Sequence, residues 1–136
     1  MIKEKFDELK LEVEEDLKIT EDNVLQKNLK LSNMYNHYLK IYIHEIKILK
    51  SIASSKNLKY KEKYHFYKFD CQFKLTSNKE IETYVEGDEE INKLNVRIQN
   101  QEIIVKYLEE VLDNIKSTGY RIKNHIELYK LQHGLS

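Results

Sequence analysis

The sequence predicts an all-α fold: a long helical hairpin whose carboxy-terminal helix is coiled-coil-like, preceded by a short amino-terminal helix and assembling as an oligomer. Three observations carry that prediction. The 136 residues include no proline and only three glycines, so the punctuation that sheets and tight turns require is missing. Charged residues make up 34% of the chain at a net charge of zero, yet apolar residues recur at steps of three and four over long stretches, the pattern of amphipathic helices and not of a disordered chain. The longest stretch without a charge runs only from Leu31 to Leu39, far short of the roughly 20 residues that cross a bilayer.

In chain order, Ile2, Phe6, Leu9 and Val13 mark a first short helix, and Leu17 to Asn28 reads as a connector. A long helix is expected from about Asn33 to Phe69, capped by Ser32, with Tyr35, Tyr38, Tyr42, Ile46, Leu49, Ala53, Tyr60, Tyr64 and Tyr67 on one stripe and Ile41, Ile48 and Ile52 beside it. Ser77-Asn78-Lys79-Glu80 has the spacing of a capping box and should start one or two turns of helix ending near Val85.

Asp88 is placed to cap the last helix, with Glu89 and Glu90 in its first turn where the backbone dipole favours negative charge. From there a seam runs through Ile91, Leu94, Ile98, Gln101, Val105, Leu108, Leu112, Ile115, Gly119, Ile122, Ile126, Tyr129 and His133, a 3.5-residue repeat. Gln101 is a polar seam position of the kind that sets register. Gly119 costs roughly 1 kcal/mol relative to alanine, which predicts a bend or break between Ser117 and Tyr120, and Gly134 is the expected stop. Two extended helices alone bury little surface, so the seam is expected to pack against copies of itself. The chain is expected to be a single helical domain, 1–136, with a basic block in residues 1–75 and an acidic-to-basic oligomerisation helix in 76–136.

The zero net charge conceals alternating blocks: residues 1–22 carry −5, 23–75 carry +8, 76–113 carry −6 and 114–136 carry +3. The basic block repels itself unless an anion binds it. Its densest part alternates lysine with rings, Lys59-Tyr60-Lys61-Glu62-Lys63-Tyr64-His65-Phe66-Tyr67-Lys68-Phe69. On a helix Lys56, Lys59 and Lys63 share one face and Tyr60, Tyr64 and Tyr67 the next. Cations beside rings suit a single nucleic-acid strand, because phosphates take the charge and unstacked bases take the ring faces. The same spacing fits a core seam of tyrosines flanked by lysines, and both readings hold together if the ring tips are exposed.

No enzyme is expected. None of the three glycines starts a phosphate-binding loop. His37 and His44 share a helical face, but His44-Glu45 lacks the second histidine of a zinc motif, and Cys71, the only cysteine, has no activating motif beside it. No metal or other cofactor is therefore expected. The amino-terminal residues contain no apolar core of signal-peptide length, and a lone cysteine fits a reducing compartment, so a cytoplasmic location is expected.

The run Asp16-Leu17-Lys18-Ile19 after an acidic first helix, then Leu31-Ser32-Asn33-Met34-Tyr35-Asn36-His37-Tyr38-Leu39, then Lys61-Glu62-Lys63-Tyr64-His65-Phe66-Tyr67, resembles the UvsY family of recombination mediators from tailed phages. Ile115-Lys116-Ser117-Thr118-Gly119-Tyr120-Arg121-Ile122-Lys123 through His133-Gly134 resembles the end of that family. The resemblance implies a non-enzymatic accessory factor acting in an infected bacterial cell. Such a factor binds single-stranded DNA as a ring of about six or seven subunits and contacts a RecA-like recombinase and the phage single-strand-binding protein. By that likeness it helps the recombinase replace the binding protein on the strand. The family's basic-x-basic pair ahead of two aromatics falls on Lys61 and Lys63, then Phe66 and Tyr67; lysine at the second basic position keeps charge but loses the bidentate geometry of arginine. The competing expectation is a structural coiled-coil scaffold that binds no nucleic acid.

Overall fold

The computed structural model describes residues 1–134 and is all-helical, with no strand among them. Helix α1 spans Lys3–Asp16, α2 Val24–His65, α3 Asn78–Glu86 and α4 Glu89–Gln132. The chain divides into two compact units: Met1–His44 with the chain from Ile104 onward, and Glu45–Ile103. Each long helix contributes to both units, so the division crosses α2 and α4 and does not fall at residue 75.

Helix α2 begins well before Ser32, in the stretch expected to be a connector. Asn23 provides the local reason: its Oδ1 accepts from the Thr20 amide at 2.7 Å and its Nδ2 donates to the Lys18 carbonyl at 3.2 Å. Its own carbonyl closes the first turn with the Lys27 amide at 2.9 Å. At the far end α2 widens into a π turn, Phe66–Asp70, closed by the Cys71 amide on the Phe66 carbonyl five residues back at 2.9 Å.

In the first unit, Leu9 and Val13 of α1, Met34 and Tyr38 of α2, and Ile104, Leu108, Val111, Leu112 and Ile115 of α4 form one core. Fully buried Tyr38 donates its hydroxyl to Asp16 Oδ2 at 2.6 Å. Burial and then the Asp16 carboxylate drive that phenol's pKa far above its ordinary value. His37 and Glu12 meet at 2.8 Å, and the Tyr42 hydroxyl donates to Glu109 at 2.8 Å.

Seven of the seam residues expected to mediate oligomerisation, Ile91, Gln101, Val105, Leu108, Leu112, Ile115 and Ile122, are buried within the single chain, and Leu94 and Ile98 are partly buried. Within the single chain these side chains already pack on the molecule's own helices: Leu108, Leu112 and Ile115 cluster with α1 and α2, and Ile91 with α3, while Val105 is buried outside those clusters. Only Ile126 and Tyr129 remain exposed, together with Leu128 and Leu131.

Gly119 lies inside α4, which continues unbroken past it, so the expected bend or break is absent. Neighbouring Thr118 and Ile122 are buried, and that packing outweighs a propensity cost of roughly 1 kcal/mol. A Cβ at this position would meet Leu31 Cδ1 at 3.6 Å, an ordinary contact. Gly119→Ala should therefore stabilise the protein by about 0.5–1 kcal/mol, read as a higher denaturant midpoint. A lower midpoint would show that the Leu31 contact is not tolerated.

Candidate nucleic-acid interface

The second unit holds the basic and aromatic stretch. Asp88 organises it. Its Oδ1 accepts the Glu90 amide at 2.8 Å, which caps α4 as the sequence predicts, and its Oδ2 accepts the Tyr67 hydroxyl at 2.7 Å. Lys63 Nζ stands 3.4 Å from the same carboxylate. Burial alone pushes the Asp88 carboxyl up; the Tyr67 hydroxyl, the Glu90 and Ile91 amides and Lys63 together hold it below its ordinary value. It is thus a fixed anion at neutral pH, joining the end of α2 to the start of α4.

The short helix α3 supplies the rest of the floor. Ser77 caps it through Oγ accepting from the Glu80 amide at 3.2 Å. The Glu80 side chain reaches back to the Thr76 amide at 3.1 Å, one residue before the cap. With this start fixed, Ile81 and Val85 point inward, where with Ile91 they form a small core covered by Tyr60, Tyr64, Tyr67 and Leu75. The three tyrosines pack on this core while remaining only partly buried. The Tyr64 hydroxyl reaches Asn78 Oδ1 at 3.1 Å, so both Tyr64 and Tyr67 are tethered by their hydroxyls.

Two of the five sequence-predicted lysines are already engaged with carboxylates. Lys63 Nζ lies 3.1 Å from Glu90, and Lys59 Nζ lies 3.1 Å from Glu62 and 3.5 Å from Glu90. The Glu90 hydrogen bond raises the Lys63 pKa, and Lys63 in turn depresses that of Glu90. Lys56, Lys61 and Lys68 have no ion-pair partner among the described residues; Lys56 is partly buried, Lys61 and Lys68 are exposed, and Lys68 lies 5.3 Å over the Phe69 ring. Phe66 is exposed, with Lys63 5.8 Å from its ring centre.

Three more rings share this region: Phe69, which closes the lysine and aromatic run in the sequence, and Phe73 and Tyr84, which the helical spacing did not single out. Phe73 could have been suspected, because it extends the aromatic run past Phe69. Tyr84 carries no local signal, and only the packing of α3 brings it to the others.

No group of three histidine, cysteine, aspartate or glutamate side chains able to hold a metal occurs among the described residues. The Cys71 thiol donates to the Phe73 carbonyl at 2.7 Å and lies 3.3 Å from the Tyr67 carbonyl. Among the described residues no helix is long and apolar enough to cross a membrane.

The class the structure defines is an all-helical hairpin protein with lysines and rings on one stretch of its second unit. The family model described as recombination, repair and ssDNA binding protein UvsY matches residues 12–135, and the chain belongs to this UvsY family of recombination and repair proteins. Crystal structures of the bacteriophage T4 recombination mediator protein UvsY share its fold. One superposes with a TM-score of 0.81 at 20% identity, covering 93% of this chain and 97% of that one. Two others give 0.79 (93% and 96% coverage) and 0.77 (92% and 98%), also at 20% identity. No curated protein sequence matches the chain.

Proposed function

We propose that this protein is a recombination mediator that binds single-stranded DNA and promotes loading of a RecA-like recombinase in place of the single-strand-binding protein, during phage homologous recombination and recombination-dependent replication and repair. It acts without catalysis, in the infected bacterial cell. The observation that carries the reading is the exposed lysine set without carboxylate partners, Lys61 and Lys68 with Lys56 beside them, next to exposed rings on a chain of this family. Lys59 and Lys63 join the site when a phosphate replaces Glu90.

Self-association supports the same reading, because an oligomer turns weak contacts from each subunit into firm binding through effective concentration. The exposed apolar end of α4, with Ile126, Leu128, Tyr129 and Leu131, is the part of the seam free for it. The proposed assembly is a ring of about six or seven copies, as the family resemblance implies. Salt-dependent binding to a labelled oligonucleotide tests the reading. The structural scaffold is favoured by one observation, the Lys59 and Lys63 ion pairs within the chain, and it stands if no strand binds even at low salt.

Neutralising the internal competitor has a defined consequence. Glu90→Gln removes one carboxylate from Lys59, still paired with Glu62, and one from Lys63, still beside Asp88, so affinity for a single strand should rise by up to about fivefold, the worth of an exposed ion pair. Titration at fixed salt by fluorescence anisotropy reads it. A clear loss of affinity with the oligomer intact would place Glu90 in contact with the strand.

A further inference from the structure

We propose that Phe69, Phe73 and Tyr84 form a platform on which unpaired bases of a single strand stack; this rests on the single-strand reading above. Phe69 is 65% exposed, Phe73 52% and Tyr84 43%, a concentration of exposed rings on one short stretch of surface, beyond the singly scattered apolar residues of an ordinary surface. Phe73 and Tyr84 meet at 5.2 Å between ring centres, Tyr84 meets Tyr67 at 5.7 Å, and Tyr67 meets Phe66 at 5.1 Å. Tyr67 is held by Asp88, so the row has a fixed anchor, and its members Phe73 and Tyr84 are exposed. Phe69, in the π turn, meets the His65 ring at 4.9 Å in a tilted arrangement.

Charge selects the occupant. Exposed rings alone would fit an apolar protein surface equally well, but Lys68 stands over Phe69 at 5.3 Å and Lys74 follows Phe73 in the chain, both exposed and without carboxylate partners among the described residues. Of the acids in this stretch, Asp70 lies 3.5 Å from His65 and Glu80 is bound to the Thr76 amide, while Glu82 and Glu86 of α3 are exposed. A ligand that offers flat apolar faces and a negative charge on every repeat is a single nucleic-acid strand. Tyr60 and Tyr64 of α2 and Tyr67 of the π turn are partly buried against the small core, so the more exposed ring surface is that of Phe69, Phe73 and Tyr84.

Two strands of equal length, oligothymidylate and an abasic phosphodiester backbone, separate stacking from charge. The full-length protein should bind oligothymidylate about tenfold or more tightly than the abasic strand, within the range for one or two stacked bases. Phe69→Leu with Phe73→Leu should remove most of that preference. The slope of log affinity against log salt should stay unchanged, because no charge is lost. Phe73→Leu alone, at an exposed position, guards against misfolding of the double variant, with circular dichroism and sedimentation as controls. Equal binding of both strands by the wild type, or an unaltered preference in folded variants, overturns the platform while leaving single-strand binding intact. Absence of any strand binding overturns both. A change in sedimenting size on Phe→Leu substitution would assign the rings to contact between copies and overturn it as well.

Discussion

Leu108→Ala lowers the unfolding free energy by about 3–5 kcal/mol, the cost of emptying a fully buried leucine site that cannot collapse. Leu108 has no exposed surface and sits among Leu9, Val13, Tyr38, Val111 and Leu112, so three helices must shift to fill the space. Against a typical total stability of about 5–15 kcal/mol this is a large fraction. Leu108→Lys should prevent folding, since the ammonium has no carboxylate within that core. Denaturant titration followed by circular dichroism gives the number. The result also separates two roles for the seam: were Leu108 an oligomer contact, alanine would change sedimenting size while leaving the unfolding of the dissociated chain little altered. The matching test of assembly is Ile126→Lys with Tyr129→Lys, at exposed positions, which should alter sedimenting size and leave the unfolding midpoint of the monomer nearly unchanged.

Replacing Lys56, Lys61 and Lys68 together by alanine should weaken single-strand binding at moderate salt and flatten its salt dependence. Each phosphate contact contributes a slope of about −0.7 for single strands, so three lost contacts change it by about 2 per subunit. These three have no carboxylate partner among the described residues, whereas Lys63 is held by Asp88 and Glu90, and changing it would also disturb the start of α4. Helix content and oligomer size should not move. Equal affinity of the triple variant and the wild type at every salt concentration would move the site to the carboxy-terminal Lys116, Arg121, Lys123 and Lys130.

The Glu90 competitor and the free lysines together describe how such a site is tuned. A half-exposed carboxylate beside two lysines holds the basic stretch together without a ligand, and it is weak enough for a phosphate to displace. On the proposed reading, an assembly in which many subunits exchange this pair at once favours long strands over short ones without any reading of base sequence.

Much of the fold was legible because its signals are local. The helix class follows from the three-four recurrence and the missing proline, and the starts of α3 and α4 follow from Ser77 and Asp88, whose side chains bind amides two or three residues ahead. Where the deciding bond was equally local but fell outside the apolar pattern, as at Asn23, the start of α2 was misplaced. What only the tertiary structure decided was which partner each face met. A 3.5-residue seam satisfies a neighbouring subunit or a helix of its own chain equally well, and α1 and α2 occupy most of it here. Gly119 reads as a break by propensity and is carried through by packing. Lysine and tyrosine alternation likewise states that charges and rings adjoin, and it leaves open which rings are covered. That depended on α3, which buries Tyr60, Tyr64 and Tyr67 against Ile81 and Val85, and on Glu90, distant in sequence, which pairs with Lys59 and Lys63. Periodicity records that a side chain has a face to bury, a property of one helix; the identity of what buries it is a property of the whole chain.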